Sequence, residues 1–315
     1  MKYPVIVSIL AAFAATQVAN ALPTKRDITE QLETEFYTRG LEKFLEADFI
    51  AAGYPEWTHG RFTQIRDHEQ AHVTFLTTAL ETAGSKAVQV CEYQFAWDRL
   101  YLLSAPAVAC FYSPTPEAYV GGSELISSKE YLMAAASILA VEARHVAWVN
   151  AAVKQSNPWD SAFQTPLAPS PMYALAAGFI KSCPASNAAL LPALNVYPGL
   201  SLGDAHIGTT TTVKFAAPKP TSQLFVAFLS GPGAPVFVPI QAGNQVAVPG
   251  TLRGLVFAFV TRDGGKVDDS TIVAGPALLD VAYDSRGQIS ARLVCLVLPV
   301  KTQPTIYAPA SRSSG

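Results

Sequence analysis

His68-Glu69-Gln70-Ala71-His72 and Val141-Glu142-Ala143-Arg144-His145 are the two stretches on which the fold turns. Each sets a glutamate and a histidine three residues apart, Glu69 with His72 and Glu142 with His145. On a helix this spacing places a carboxylate and an imidazole on one face, where they can converge on one ion. Those faces are otherwise apolar. Ile65, Glu69, His72, Val73 and Leu76 align on one, and Ile138, Val141, Glu142, His145, Trp148 and Val149 on the other. A polar pair set in an apolar stripe points at a core. One such pair is ordinarily a satisfied hydrogen-bonded couple, whereas two on separate helices of one bundle favour a shared site. A third match, Glu56/His59, falls between Pro55 and Gly60 and reads as loop.

Working outward, the segment Ile28–Ala51 has the signals of a helix, starting at Asp27 or Thr29 and stopping before Gly53 and Pro55. Glu30, Glu33 and Tyr37 fall at i, i+3 and i+7 on it, with Leu41 continuing the stripe. Glu35, Arg39, Glu42 and Glu46 read as its solvated side. Further helices are predicted over Arg61–Ala83, over Trp97–Tyr112 (ended by Pro114 and Pro116), and from Ser127 or Ser128 to about Val153. Four helices of this kind make a bundle, and Glu30, Glu33, Glu69 and Glu142 can all face its interior. Uncompensated burial would cost several kcal/mol per carboxylate. Divalent cations, protonation, or buried arginines such as Arg66 and Arg144 would offset it. Carboxylate oxygen with imidazole nitrogen suits iron, manganese or zinc.

One glutamate on each of two helices, with Glu-x-x-His on each of the other two, is the ligand pattern of di-iron and di-manganese bundles. Further segments carry a family likeness: Leu32-Glu33-Thr34-Glu35-Phe36-Tyr37, Cys91-Glu92-Tyr93-Gln94-Phe95, Ala118-Tyr119-Val120-Gly121, Phe163-Gln164-Thr165-Pro166-Leu167, Ser182-Cys183-Pro184 and Ala274-Gly275-Pro276-Ala277. With the two histidine motifs, they make the chain resemble the ferritin-like domain family of fungal secreted stress-response proteins and plant desiccation-related proteins. The resemblance implies a metal site of Glu30, Glu33, Glu69, His72, Glu142 and His145. With a redox-active ion, it implies oxygen or peroxide handling there. One position departs from the family pattern. The glutamate that usually precedes the Ala-Tyr-x-Gly segment on the third helix has Tyr112 in its place, and no Asp or Glu occurs from Arg99 to Pro116. Either Tyr112 or a displaced Glu117 completes the site, or the site is one carboxylate short, holding one ion or none.

The rest of the chain changes character. All 13 glutamates of the 315 residues lie between Glu30 and Glu142, and four of the five histidines lie between His59 and His145. After about residue 205, short runs rich in valine and threonine alternate with Gly231-Pro232-Gly233, Pro249-Gly250 and Asp263-Gly264-Gly265. That spacing predicts an antiparallel sandwich. The fold class expected is therefore α+β in two parts: a ferritin-like four-helix bundle (28–156), then a proline-rich connector with a short helix at Met172–Lys181 (157–204), a β-sandwich-like domain (205–306) and a tail (307–315). Residues 1–21 read as a secretory leader ending in Ala19-Asn20-Ala21, and 22–27 as a processing segment closed by Lys25-Arg26. The expected location is therefore extracellular or the cell wall. Export favours disulfides; of the three full pairings of Cys91, Cys110, Cys183 and Cys295, loop placement favours Cys91 with Cys183.

A net charge of −2 with 15% charged residues excludes a polyelectrolyte and a binder of nucleic acid through a basic surface. No segment after the leader is expected to span a membrane. Asp204 and His206 read as a polar turn, and no phosphate loop, nucleophile elbow or cysteine–histidine zinc spacing appears. The β-rich part, poor in acids, is expected to pack on the bundle or to meet cell-wall material or a protein partner. Two functions follow: a secreted stress protein with a metal site, or a non-enzymatic protective protein whose site is degenerate and metal-free.

Overall fold

The first helix is shorter at its far end than its periodicity predicts. In the computed structural model, which describes residues 22–95, 114–190, 194–216, 222–289 and 294–296, helix α1 runs Leu22–Lys43 and a separate α2 follows at Glu46–Ala51. Leu45 between them is extended, and its N–H donates to the Asp48 carboxylate at 2.8 Å. That carboxylate, three residues into the new helix, satisfies the N–H at its start. The leader, the predicted helix Trp97–Tyr112, Cys110 and the tail lie outside the described residues.

Helix α3 spans Trp57–Thr82, so Glu56/His59 stands at a helix start and not in a loop. Tertiary packing overrides the glycine there. The Trp57 and Phe62 rings meet Trp148 at 6.1 and 5.1 Å, while a helical glycine such as Gly60 costs only about 1 kcal/mol. His59 packs edge-on to Phe49. Helix α4, Pro114–Ser123, begins at the prolines expected to break a helix. Pro114 and Pro116 occupy its first turn, where backbone N–H groups have no intrahelical acceptor to lose. Helix α5, Lys129–Trp148, starts at Ser128, whose hydroxyl accepts the Tyr131 N–H at 3.3 Å. It ends in a π-helical turn, Val149–Val153.

Within the 25 residues Lys129–Val153, an 18-residue window reaches a mean hydropathy of 1.4. By length and composition it could cross a membrane, contrary to the sequence expectation. Here it is a bundle helix. Ala135, Ile138, Glu142, His145, Val146 and Val149 form a buried stripe at three- and four-residue spacing. Leu32, Phe36, Tyr37 and Leu41 of α1, with Phe62 and Ile65 of α3, build the same core. Leu76, Tyr119, Ala135 and Ile138 close it where α3, α4 and α5 meet.

The connector helix, α6, runs Pro169–Ala177, starting and ending earlier than its pattern predicts. The chain then turns extended, and strand β2 (Ile180–Ser182) pairs antiparallel with β1 (Glu92–Tyr93). A Cys91–Cys183 disulfide closes this pair, as loop placement favoured.

Among the described residues, eight strands follow: β3 (Leu200–Leu202), β4 (Thr210–Phe215), β5 (Phe225–Leu229), β6 (Val236–Pro239), β7 (Gln245–Ala247), β8 (Gly254–Thr261), β9 (Ile272–Val281) and β10 (Val294–Leu296). They form two antiparallel sheets, ordered β10-β9-β8-β5-β6 and β3-β4-β7, which share a core including Leu202, Val213, Val226, Val246, Val256 and Leu279. Strand β8 is buried along its whole length. Val256, Ala258 and Val260 face the other sheet, while Leu255, Phe257 and Phe259 pack on Leu167 and on Met172 and Leu175 of α6. Burial of each such side chain contributes about 1.5–3 kcal/mol. The architecture is thus a helical part followed by antiparallel sheets, with α6 between them. Two close approaches fix the connector. A Cβ on Gly121 would lie 2.2 Å from the Leu167 carbonyl oxygen, and one on Gly254 (φ +63°) 2.3 Å from Asp160 Cα.

Candidate metal centre

Helices α1, α3 and α5 bring their polar stripes to one place. Glu30 and Glu33 come from α1, Glu69 and His72 from α3, and Glu142 and His145 from α5. Glu30, Glu69 and Glu142 are fully buried, Glu33 is 1% exposed and His145 6%. His72 Nδ1 lies 3.2 Å from Glu30 Oε2, 3.1 Å from Glu69 Oε2 and 3.0 Å from Glu142 Oε1. His145 Nδ1 lies 3.1 Å from Glu69 Oε1 and 3.6 Å from Glu142 Oε2. Glu69 and Glu142 therefore each span the two imidazoles, giving one oxygen to each.

Helix α4 supplies hydroxyls. Thr115 donates to Glu33 Oε1 and Tyr119 to Glu30 Oε1, both in very short hydrogen bonds. These two residues, four apart, share a face; Glu117 between them does not. Glu117 is buried with Oε2 accepting no hydrogen bond among the described residues, and the charge it feels is that of Asp160 in the connector. The structure therefore does not bring Glu117 to the cluster, and Tyr112 lies outside the described residues. Arg66 is tied to Asp67 at the surface and Arg144 is exposed, so neither offsets the buried carboxylates. The imidazoles do. His68 adds a contact that the sequence reading missed: its Nδ1 lies 3.0 Å from His145 Nε2, with the rings stacked at 5.2 Å.

Electrostatics follow from this crowding. Burial, then the charges of Glu142, Glu69 and Glu30, pushes Glu33 well above the usual carboxylate range. Burial likewise lifts Glu30 to about 7, with His72 opposing. Burial alone would depress both histidines. The adjacent carboxylates of Glu142, Glu30 and Glu69 outweigh it and push His72 up to about 12, and Glu142 and Glu69 push His145 up to about 9. Against its own burial, Glu142 is held down to about 2 by the two imidazoles. Burial, then the charges of Glu69, Glu33 and Glu142, raises the Tyr37 hydroxyl well above its ordinary value. For His68, burial and the neighbouring His145 lower the imidazole.

The donor set fits a metal ion. One ligand atom from each of Glu30, Glu69, His72 and Glu142 lies within 4.8 Å of the others. Donors about 2.0–2.2 Å from one ion stand at most roughly 4.4 Å apart, so shifts of a few tenths of an ångström complete coordination. Both Glu142 oxygens also lack a well-directed hydrogen bond, meeting the imidazoles only as ionic contacts. Oxygens so placed are available to a cation. Glu33 Oε2 likewise accepts no hydrogen bond among the described residues.

No curated protein matches the chain. Residues 27–155, which carry the buried glutamate and histidine cluster, match the ferritin-like domain.

Proposed function

We propose that the chain is a secreted stress-response protein of the fungal and desiccation-related kind, whose ferritin-like domain binds iron, manganese or zinc. The convergence of four donor atoms from three helices within 4.8 Å carries this reading. When bound, a redox-active ion would supply electron transfer to oxygen or peroxide. The residues do the rest. Glu30, Glu69 and Glu142 supply negative charge, and His72 gives up its Nδ1 proton to become a neutral ligand. His145 orients Glu69 and Glu142, Thr115 and Tyr119 fix Glu33 and Glu30, and the apolar walls keep water from the site. Support for export comes from the leader-like residues 1–21 and from the Cys91–Cys183 bond, which suits an oxidising compartment. The β sheets present the surface for cell-wall material or a protein partner. The charge balance argues against nucleic acid, and α5 serves the bundle and not a membrane.

The second reading is a protective, non-enzymatic protein with a degenerate, metal-free site. The orientation of Glu117 away from the cluster favours it, since α4 then offers hydroxyls where a two-metal centre needs a carboxylate. Elemental analysis after equilibration with Fe²⁺, Mn²⁺ or Zn²⁺ decides between them. About one bound ion per chain, lost in the Glu69→Ala/Glu142→Ala variant, supports the metal site. A ratio near zero for all three ions supports the protective reading.

A further inference from the structure

We propose that His68 is a positioning residue for His145, holding the Nε2 proton of that ring so that Nδ1 is the nitrogen turned toward Glu69 and Glu142. The inference deepens the metal-site reading and rests on it for its consequence, though its geometry stands alone. His145 belongs to α5 and is buried, whereas His68 belongs to α3 and is exposed to solvent. The two rings approach through His68 Nδ1 and His145 Nε2 at 3.0 Å, with their planes 15° apart. One nitrogen of such a pair must donate and the other accept. On its far edge, His145 presents Nδ1 to Glu69 Oε1 at 3.1 Å. Without an ion at His145, that nitrogen carries a proton toward the carboxylate as an ionic contact; were His145 to hold an ion, the same nitrogen would offer an electron pair. In both states the remaining proton sits on Nε2, and His68 Nδ1 is its acceptor. A ligating or ligand-orienting histidine commonly spends its second N–H on a carboxylate or carbonyl, which sets ring orientation and basicity. Here a surface imidazole takes that place and also ties α3 to α5.

Three variants separate hydrogen bonding from stacking. His68→Phe keeps an aromatic ring and removes the acceptor, His68→Asn keeps an acceptor and removes the ring, and His68→Ala removes both. In Mn²⁺ titrations, His68→Phe and His68→Ala should bind about 10- to 100-fold more weakly than the wild type, and His68→Asn should recover most of the loss. Equal affinity of His68→Phe and wild type would overturn the proposal, as would failure of Asn to recover binding while the phenylalanine variant recovers it. A second readout needs no metal. In ¹⁵N-histidine-labelled protein, coupling across the hydrogen bond between His145 Nε2 and His68 Nδ1 is expected, with the proton on His145. The proton on His68 Nδ1 instead, or no coupling, would refute the assignment. If the wild type takes up no ion, the metal reading fails and the labelled spectrum decides the role of His68 by itself.

Discussion

Metal uptake should be coupled to proton release, with a size set by His72 and Glu30. In the metal-free protein, His72 is pushed up to about 12 and Glu30 to about 7. Both shifts are upward, so the metal-free site holds protons that an ion must expel, and affinity rises with pH. At pH 7 the ion displaces the whole His72 proton and half of that on Glu30, about 1.5 protons in all; at pH 8 the figure falls to about 1.1. Integrated between these limits, the association constant should rise roughly 20-fold from pH 7 to pH 8. A second ion taking His145 would add one more proton and make the rise about tenfold steeper. Calorimetric titration with Mn²⁺ in two buffers of different ionisation enthalpy counts the protons directly. A Glu30→Gln variant should lose the extra fraction and release close to one proton at both pH values. Heats independent of the buffer, or affinity that stays flat or falls as pH rises, would refute the reasoning.

Other outcomes are expected. Replacing Cys91 and Cys183 with serine opens a cross-link between residues 92 apart, and chain entropy puts the cost at about 4–5 kcal/mol, measurable by urea denaturation. A change within error would show that the β1–β2 pairing already restricts the unfolded chain or that the loss is compensated. Gly121→Ala drives a Cβ against the Leu167 backbone and should lower stability by about 1–3 kcal/mol, whereas the open Gly60→Ala should not destabilise. Glu117→Gln should leave metal stoichiometry unchanged. Because burial raises the Glu117 carboxyl, its folded form costs stability as pH rises above the ordinary carboxylate range. The glutamine variant should therefore melt higher at pH 7.5, with the gap closing toward pH 4. A loss of bound metal in that variant would return Glu117 to the site.

The cluster was legible where chemistry and periodicity coincide. Glu69/His72 and Glu142/His145 are polar breaks in apolar stripes, and Glu30 and Glu33 continue such a stripe on α1. Residues whose role depends on the path of the chain were not. Thr115 and Tyr119 reach Glu33 and Glu30 because Pro114 and Pro116 start a helix, and prolines carry the same letter whether they begin one or end one. His68 sits one residue from Glu69, outside its stripe, and gains meaning only through α5. Among the strands, β5 to β8 announced themselves through valine and phenylalanine runs between turns. Strand β9 runs from Ile272 to Val281 through Gly275-Pro276, a pair that in sequence looks like a strand end. The ladder steps over them through an irregularity opposite Ala258–Val260, and Gly275 donates its N–H to Pro198 instead. The break at Leu45 escaped notice because the capping carboxylate, Asp48, also suits an exposed helical position.

Helix α6 gives Met172 and Leu175 to the sheet side while Ala176, with Ile180 just beyond it, fills the helical core beside Phe36 and Tyr37. It therefore seals both halves at once. A piece excised at residue 155, where family similarity stops, would leave that wall of the bundle bare and forfeit the sulfur link to Cys183. The unit recognisable by kinship is thus smaller than the unit able to stand by itself in water, and any truncation meant to isolate the glutamate–histidine cluster should carry the chain through at least Cys183.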